Sequence, residues 1–240
     1  MSVPDTIDAP PIAKAKPFKW SFTKLKNFRT CPKRHYHCDI KKEFKESSQH
    51  LDWGNTVHKA LEMRLERGTQ LPPVMDPYEP WAKKILAGVK ELGARIRIEQ
   101  KLAFDKEFAP TEADWKNPNA WFNARIDVLI IDGDRAQAID WKTGKVEPDS
   151  QQLALSAQCV FSHYPNIKEV TASYVWLKHD TSTREVYTQA NLLSMWNGLL
   201  PELKQIEAAE RALDYPPTPN GLCREYCPVK SCPYHGKGAY

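Results

Sequence analysis

Asp127, Asp140 and Lys142 carry residue types and spacing that suit metal-assisted hydrolysis. They lie in the segment ARIDVLIIDGDRAQAIDWKTGK, residues 124–145. Apolar runs on either side of Asp132-Gly133-Asp134 predict two strands joined as a hairpin. Side chains two apart on a strand share a face, so Asp140 and Lys142 point together and Trp141 points away. The hairpin can set Asp127 beside Asp140. Two carboxylates on adjacent strands hold a hard divalent cation through oxygen, as magnesium prefers. A lysine two residues from the second carboxylate can orient or deprotonate an attacking water, and it can offset charge on a pentavalent phosphorane. By itself a D-x-K tripeptide is most often a surface salt bridge at a strand end. The spacing to Asp127, the apolar run before it and the following Thr143-Gly144-Lys145 narrow the field.

The six cysteines form a second group of chemical candidates. Cys223, Cys227 and Cys232 follow a C-x3-C-x4-C pattern in a Pro-rich tail. Three thiols in so short a stretch read as a metal site that needs a fourth ligand. His235 would complete a local zinc site of three thiolates and one imidazole. Cys159 sits in an apolar helix and reads as a buried thiol.

Around these residues the periodicity predicts the elements that must hold them. A helix spans about 22–45, capped by Ser21 and open to a break near Cys31-Pro32. Leu51 to Arg67 has helical spacing and stops at Gly68. The Pro-rich stretch LPPVMDPYEP reads as a loop, and 79–92 as a helix. Strands are expected over 95–108, 121–131 and 135–142, a helix over 153–161, strands over 169–178 and 183–189, and a long helix over 192–213. Residues 1–17 read as an N-terminal arm, and 216–240 as a Cys-rich tail. This order predicts a mixed α/β sandwich around one sheet.

Composition excludes several classes. At 240 residues, 41% hydrophobic and 27% charged, the chain can bury a sizeable core and is not disordered overall. No apolar run approaches the ~20 residues of a spanning helix, and the N-terminus lacks a secretory apolar centre. A cytoplasmic location is the expectation. Residues 14–45 carry eleven Lys or Arg against Asp39 and Glu43, a local charge of +9 in a chain of net +4. Phe18, Trp20, Phe22, Phe28, Tyr36 and Phe44 sit among them. Such a segment suits nucleic acid through phosphate neutralisation and base stacking, and equally suits a solvated face over core aromatics. Lys24, Lys26, Lys33 and Arg34 are its candidate DNA contacts. No G-x-x-x-x-G-K-[ST] phosphate loop, and so no helicase motor, is present.

The DWKTGK that follows a hairpin from RIDV resembles the core of the PD-(D/E)XK nuclease superfamily, and more narrowly its RecB-type branch. That branch includes RecB and AddB nuclease domains, CRISPR-adaptation exonucleases and phage exonucleases. Four further segments resemble it in order. They are WSFTKLKNFRTCPKRHY (20–36), WGNTVHKALE (53–62), QQLALSAQCVF (151–161) and CREYCPVKSC (223–232). The resemblance implies a restriction-endonuclease-like core over 18–215, with a central mixed sheet flanked by helices. It implies a magnesium- or manganese-dependent DNA exonuclease of recombination, repair or processing, acting in a host cytoplasm if phage-encoded. Asp127, Asp140 and His58 would be metal ligands, joined by the Trp141 carbonyl. Lys142 would be the catalytic lysine, Gln152 would approach the site or DNA, and Glu99 would be an extra upstream acid.

The resemblance also implies a 4Fe–4S cluster held by Cys31 with Cys223, Cys227 and Cys232, stapling the first helix to the tail. Closing a loop of roughly 190 residues removes much unfolded-state entropy. Cys38, two helical turns after Cys31, is the substitute ligand, and zinc is the alternative metal. Three features depart from the branch: Ala124 stands where it usually has Gly, Ser156 where it often has Tyr, and the tail cysteines are spaced x3 then x4 where the branch usually has x2 then x5. DNA is the expected partner, with a homo-oligomer or a recombination or replication protein also open. Two readings compete: a non-catalytic DNA-binding or assembly protein that keeps the fold, and a zinc-tail RNA-binding module.

Overall fold

A computed structural model describes residues 17–44, 48–147 and 149–237. Ser21 accepts the backbone N–H of Lys24 and opens helix α1, Phe22–Thr30, as an N-cap serine does. Cys31 is extended (φ −169°, ψ 113°), and Pro32 starts α2, Pro32–His35, where its missing N–H costs nothing. A π-helical turn follows over Tyr36–Ile40. The helix expected to run to 45 is therefore three pieces ending at Ile40. Lys42, with φ 56°, turns the chain away, and residue 45 lies outside the described residues.

Helix α3, Gln49–Arg67, is capped by Ser48 and ends at Gly68, whose φ of 70° suits glycine. The Pro-rich stretch expected as a loop winds into a 3-10 turn, Pro73–Tyr78, and leads into α4, Glu79–Leu92.

The sheet has six strands: β1 Arg95–Phe104, β2 Pro110–Thr111, β3 Phe122–Asp132, β4 Arg135–Lys142, β5 Glu169–Trp176 and β6 Thr181–Tyr187. Their order is β2-β1-β3-β4-β5-β6. Among these strand pairs of the described residues only β4–β5 is parallel, with α5, Gln151–His163, as its crossover. β1 stops four residues short of the expected 108. The Asp105 carboxylate accepts the N–H groups of Glu107 and Ala109, and Phe108 takes φ 63°, so the chain reverses into β2. That two-residue strand is too short to leave a period in the sequence. β5 ends at Trp176 rather than 178, because Leu177–His179 tightens into a 3-10 turn. Accordingly β6 covers 181–187 instead of 183–189. α6, Gln189–Ala212, and the short α7, Leu222–Glu225, complete the chain.

Both sheet faces are covered. On one, Leu153, Leu155 and Val160 of α5 and Leu192, Trp196 and Leu199 of α6 pack with Trp20 and Leu25 on Leu129, Ile131, Ala136 and Ala138. On the other, Val57, Leu61 and Leu65 of α3 and Ile85 of α4 pack on Val128, Ile130, Ile139 and Trp141. Each fully buried aliphatic side chain is worth about 1.5–3 kcal/mol, so the sheet centre is rigid. The mixed sheet flanked by helices is as the sequence led one to expect. Cys159 is fully buried, as expected. Among the described residues no helix is long and apolar enough to cross a membrane.

Candidate active site

The site forms where β3 and β4 part. Their ladder runs from Asp132↔Arg135 to Val128↔Ile139, and the same register sets Asp127 opposite Asp140 just beyond it. In place of a ladder bond, Asp127 Oδ2 accepts the Trp141 backbone N–H at 2.8 Å. This fixes the buried carboxylate at the mouth of the hairpin. The Trp141 side chain is buried against α3, while Asp140 and Lys142 share the opposite face, as strand alternation requires.

His58 enters from α3. Its Nε2–H donates to the Trp141 carbonyl at 2.9 Å. A carbonyl only accepts, so Nε2 carries the proton. Nδ1 then faces Asp127 Oδ1 at 3.3 Å. Burial opposes the imidazolium, yet the hydrogen bond and charge of Asp127, with the charge of Asp140, raise the His58 pKa above its ordinary value. Gly54, one turn earlier on α3, lets the helix approach: a Cβ there would stand 3.3 Å from Thr143 Oγ1.

Glu99 lies on β1 opposite Asp127 in the strand register, with φ 52°. This left-handed backbone in mid-strand is unusual for a non-glycine residue and re-aims the side chain. His58, Glu99 and Asp127 each offer a ligand atom, and these atoms all lie within 4.8 Å of one another. Burial and the nearby Asp127 raise the Glu99 pKa, against the pull of Arg125, whose Nη1 lies 3.1 Å away.

Asp140 belongs to a second network. Its Oδ2 lies 2.7 Å from Lys142 Nζ, a close ion pair. Gln152, on α5, donates Nε2–H to Asp140 Oδ1 at 2.8 Å and accepts from Lys142 Nζ at 2.9 Å. Burial raises the Asp140 pKa to about 6, against the opposing charge of Lys142. The Lys142 ammonium also lies 4.8 Å from the Tyr174 ring centroid. Tyr174 is the β5 partner of Asp140. Sequence reasoning missed it, because a parallel pairing across a helical crossover leaves no local signal.

The expected trio of His58, Asp127 and Asp140 is thus distributed over two networks that meet at the Trp141 peptide, and Glu99 stands with His58 and Asp127. A cleft of about 530 Å³ exposes His58, Asp127, Asp140, Lys142 and Gln152 together. Ala124 and Ser156 also line it. The donor set fits a hard divalent cation: carboxylate oxygens plus one imidazole whose other nitrogen is tied to a carbonyl, as ligating histidines are.

Cys31, Cys223, Cys227 and Cys232 line one small cavity between α2 and the tail. The Thr218 N–H points at Cys31 Sγ and the Asn220 N–H at Cys223 Sγ, each at 3.4 Å. Cys38 and His235 are not among the lining residues. Zinc at ~2.3 Å from each sulfur demands closely gathered thiolates. Among the described residues no such set has its ligand atoms within 4.8 Å, outside the His58 group.

The four basic candidates separate. Lys26 is exposed and pairs with Glu147 at 3.0 Å. Lys24 is half-buried, 4.5 Å from the Trp115 ring centroid. Lys33 and Arg34 line the cysteine cavity, and Arg34 Nη1 donates to Asn27.

No curated protein matches this chain at a significant level. Among solved structures, a candidate exonuclease from Eubacterium rectale superposes with a TM-score of 0.52 at 11% identity, covering 88% of this chain and 87% of its own. SSO0001 superposes with a TM-score of 0.45 at 12% identity, covering 93% and 89%. The first of these likenesses concerns the fold alone. The family model for the PD-(D/E)XK nuclease superfamily matches residues 19–233, and with nearly the whole chain inside that match, the protein belongs to the PD-(D/E)XK nuclease superfamily.

Proposed function

We propose that this nuclease is a metal-dependent DNA exonuclease of the RecB-type branch, working in DNA recombination, repair or processing. The observation that carries the reading is the junction at Trp141. Its N–H holds Asp127, its carbonyl holds His58, and its neighbours Asp140 and Lys142 open onto the same cleft. His58 through Nδ1, Asp127 and Asp140 would hold magnesium or manganese, with Glu99 completing the acid set and the Trp141 carbonyl adjacent. Such an ion, when bound, polarises the phosphate and lowers the pKa of water.

The remaining work falls to the chain. Gln152 holds Lys142 and Asp140 in fixed relation, so the ammonium stays aimed into the cleft. There it can orient the attacking water and offset charge developing on the phosphoryl oxygens. Lys24 and Lys26 would contact the DNA backbone beside the cleft, with Lys33 and Arg34 extending the basic track. Cys31, Cys223, Cys227 and Cys232 would hold a 4Fe–4S cluster with a structural role, since phosphodiester hydrolysis transfers no electron.

The test is digestion of end-labelled single- and double-stranded DNA with magnesium or manganese against EDTA. Cleavage from the ends that EDTA and Asp140→Ala both abolish is the expected result. DNA binding without metal-dependent cleavage would favour the assembly-protein reading instead.

A further inference from the structure

A smaller pocket of about 180 Å³ lies beside the hydrolytic cleft. Phe22, Lys142, Gly144 and Gln152 line both spaces, so the pocket opens where Lys142 and Gln152 hold Asp140. Tyr174 and Trp176 form its inner wall, their ring centroids 5.3 Å apart. Two lysines, Lys26 and Lys145, and two acids, Glu147 and Asp149, complete the lining. Lys26 and Glu147 form an exposed ion pair of the kind that adds little stability and yields readily to a ligand.

This lining selects a chemistry. Glu147 and Asp149 offset two of the three ammonium groups of Lys26, Lys142 and Lys145, and three aromatic side chains favour a flat apolar face over a bare phosphate. The polar groups around it can meet donors and acceptors on the edge of a heterocycle. The volume is below the ~300–1,000 Å³ of pockets for drug-sized ligands, so it holds one nucleoside-sized group and no stacked pair. Tyr174 already faces the Lys142 ammonium, whereas half-buried Phe22 borders both spaces.

The geometry points to a nucleobase subsite: the pocket takes the base of the nucleotide adjoining the scissile phosphate, stacked on Phe22. This rests on the nuclease reading, because it assumes that the phosphate is attacked beside Lys142. A base can enter only when unpaired, so the subsite selects a frayed end or a single strand.

Two readouts on the whole protein test it. The first is calorimetric titration with deoxyadenosine 5′-monophosphate and with 2-deoxyribose 5-phosphate, which lacks the base. The second is cleavage of an oligonucleotide with one abasic residue next to the cut, at each flanking position in turn. The expected result is about tenfold weaker binding without the base and a similar loss in kcat/KM at one flanking position, the scale of one stacked base. Phe22→Ala should abolish both differences. Gly144→Leu should do the same by occupying the pocket, since a Cβ there meets no atom within 4 Å. Equal affinity for the two ligands, no nucleotide binding, or equal cleavage of the abasic substrates overturns the subsite. Discrimination between the ligands without any DNA cleavage would overturn the nuclease reading while leaving the subsite standing.

Discussion

The candidate active-site cleft and the cysteine cavity are built from different distances along the chain. The cleft draws Asp127, Asp140 and Lys142 from one hairpin, adding His58 and Gln152 from helices on opposite sheet faces. The cavity joins Cys31 to three thiols near the C-terminal end. Their electrostatics differ as well. In the cleft, buried charges are held against one another, and Asp140 is costly enough that its pKa climbs to about 6. In the cavity, two backbone N–H groups approach the sulfurs, and burial raises the Cys227 thiol pKa. The cleft thus holds charges at a cost in stability, whereas a group bound in the cavity would return stability by closing a long loop.

Removing a charge from the cleft tests the first half of that contrast. Asp127→Ala, Asp140→Ala and Lys142→Ala should each reduce cleavage by about a thousandfold or more, with circular dichroism and most DNA affinity unchanged. Retained activity in Asp140→Ala would remove this cleft from the chemistry.

Next in size is the staple. Cys31→Ser should bleach anaerobically purified brown protein and cost on the order of 3–5 kcal/mol, by analogy with other long-loop closures. His235→Ala should change neither colour nor melting temperature. Colourless wild-type protein carrying stoichiometric zinc would reverse this side of the comparison.

The cost of preorganisation is measurable in metal-free protein. The folded-state pKa of Asp140 is raised from 3.8 to about 6, so between those values the folded state binds more protons than the unfolded chain. Its contribution to stability therefore grows as pH falls from about 7 to about 4. Asp140→Asn should lose that rise and be more stable than wild type at neutral pH. The side chain keeps 16% exposure to the cleft, so the gain should be about 1–2 kcal/mol, less than the full linkage value of a two-unit shift. Chemical denaturation at pH 5 and 7.5 in EDTA reads both numbers. A destabilised Asp140→Asn at pH 7.5 would mean that its pairing with Lys142 outweighs its desolvation.

The smallest effect asks whether DNA spans both regions. Lys26→Ala, beside the cleft, and Lys33→Ala, beside the cavity, should each lower the slope of log K against log salt by about one. A change with Lys26 alone would confine the DNA to the cleft side.

Much of this was legible in the sequence because it follows from local rules. Strand alternation dictates that Asp140 and Lys142 share a face, the Gly133 turn pairs β3 with β4, and the cap at Ser21 starts α1. The spacing of Gly54 and His58 is likewise a one-turn relation within a helix. Other features depended on elements that meet only after folding. The φ of Glu99, the parallel pairing that brings Tyr174 under Lys142 and the gathering of Cys31 with the tail have no neighbour in sequence to signal them. The division of His58, Asp127 and Asp140 into two networks is of the same kind. Which carboxylate His58 meets and which one Lys142 holds depends on how far α3 and α5 approach opposite faces of the sheet, and core packing sets that approach.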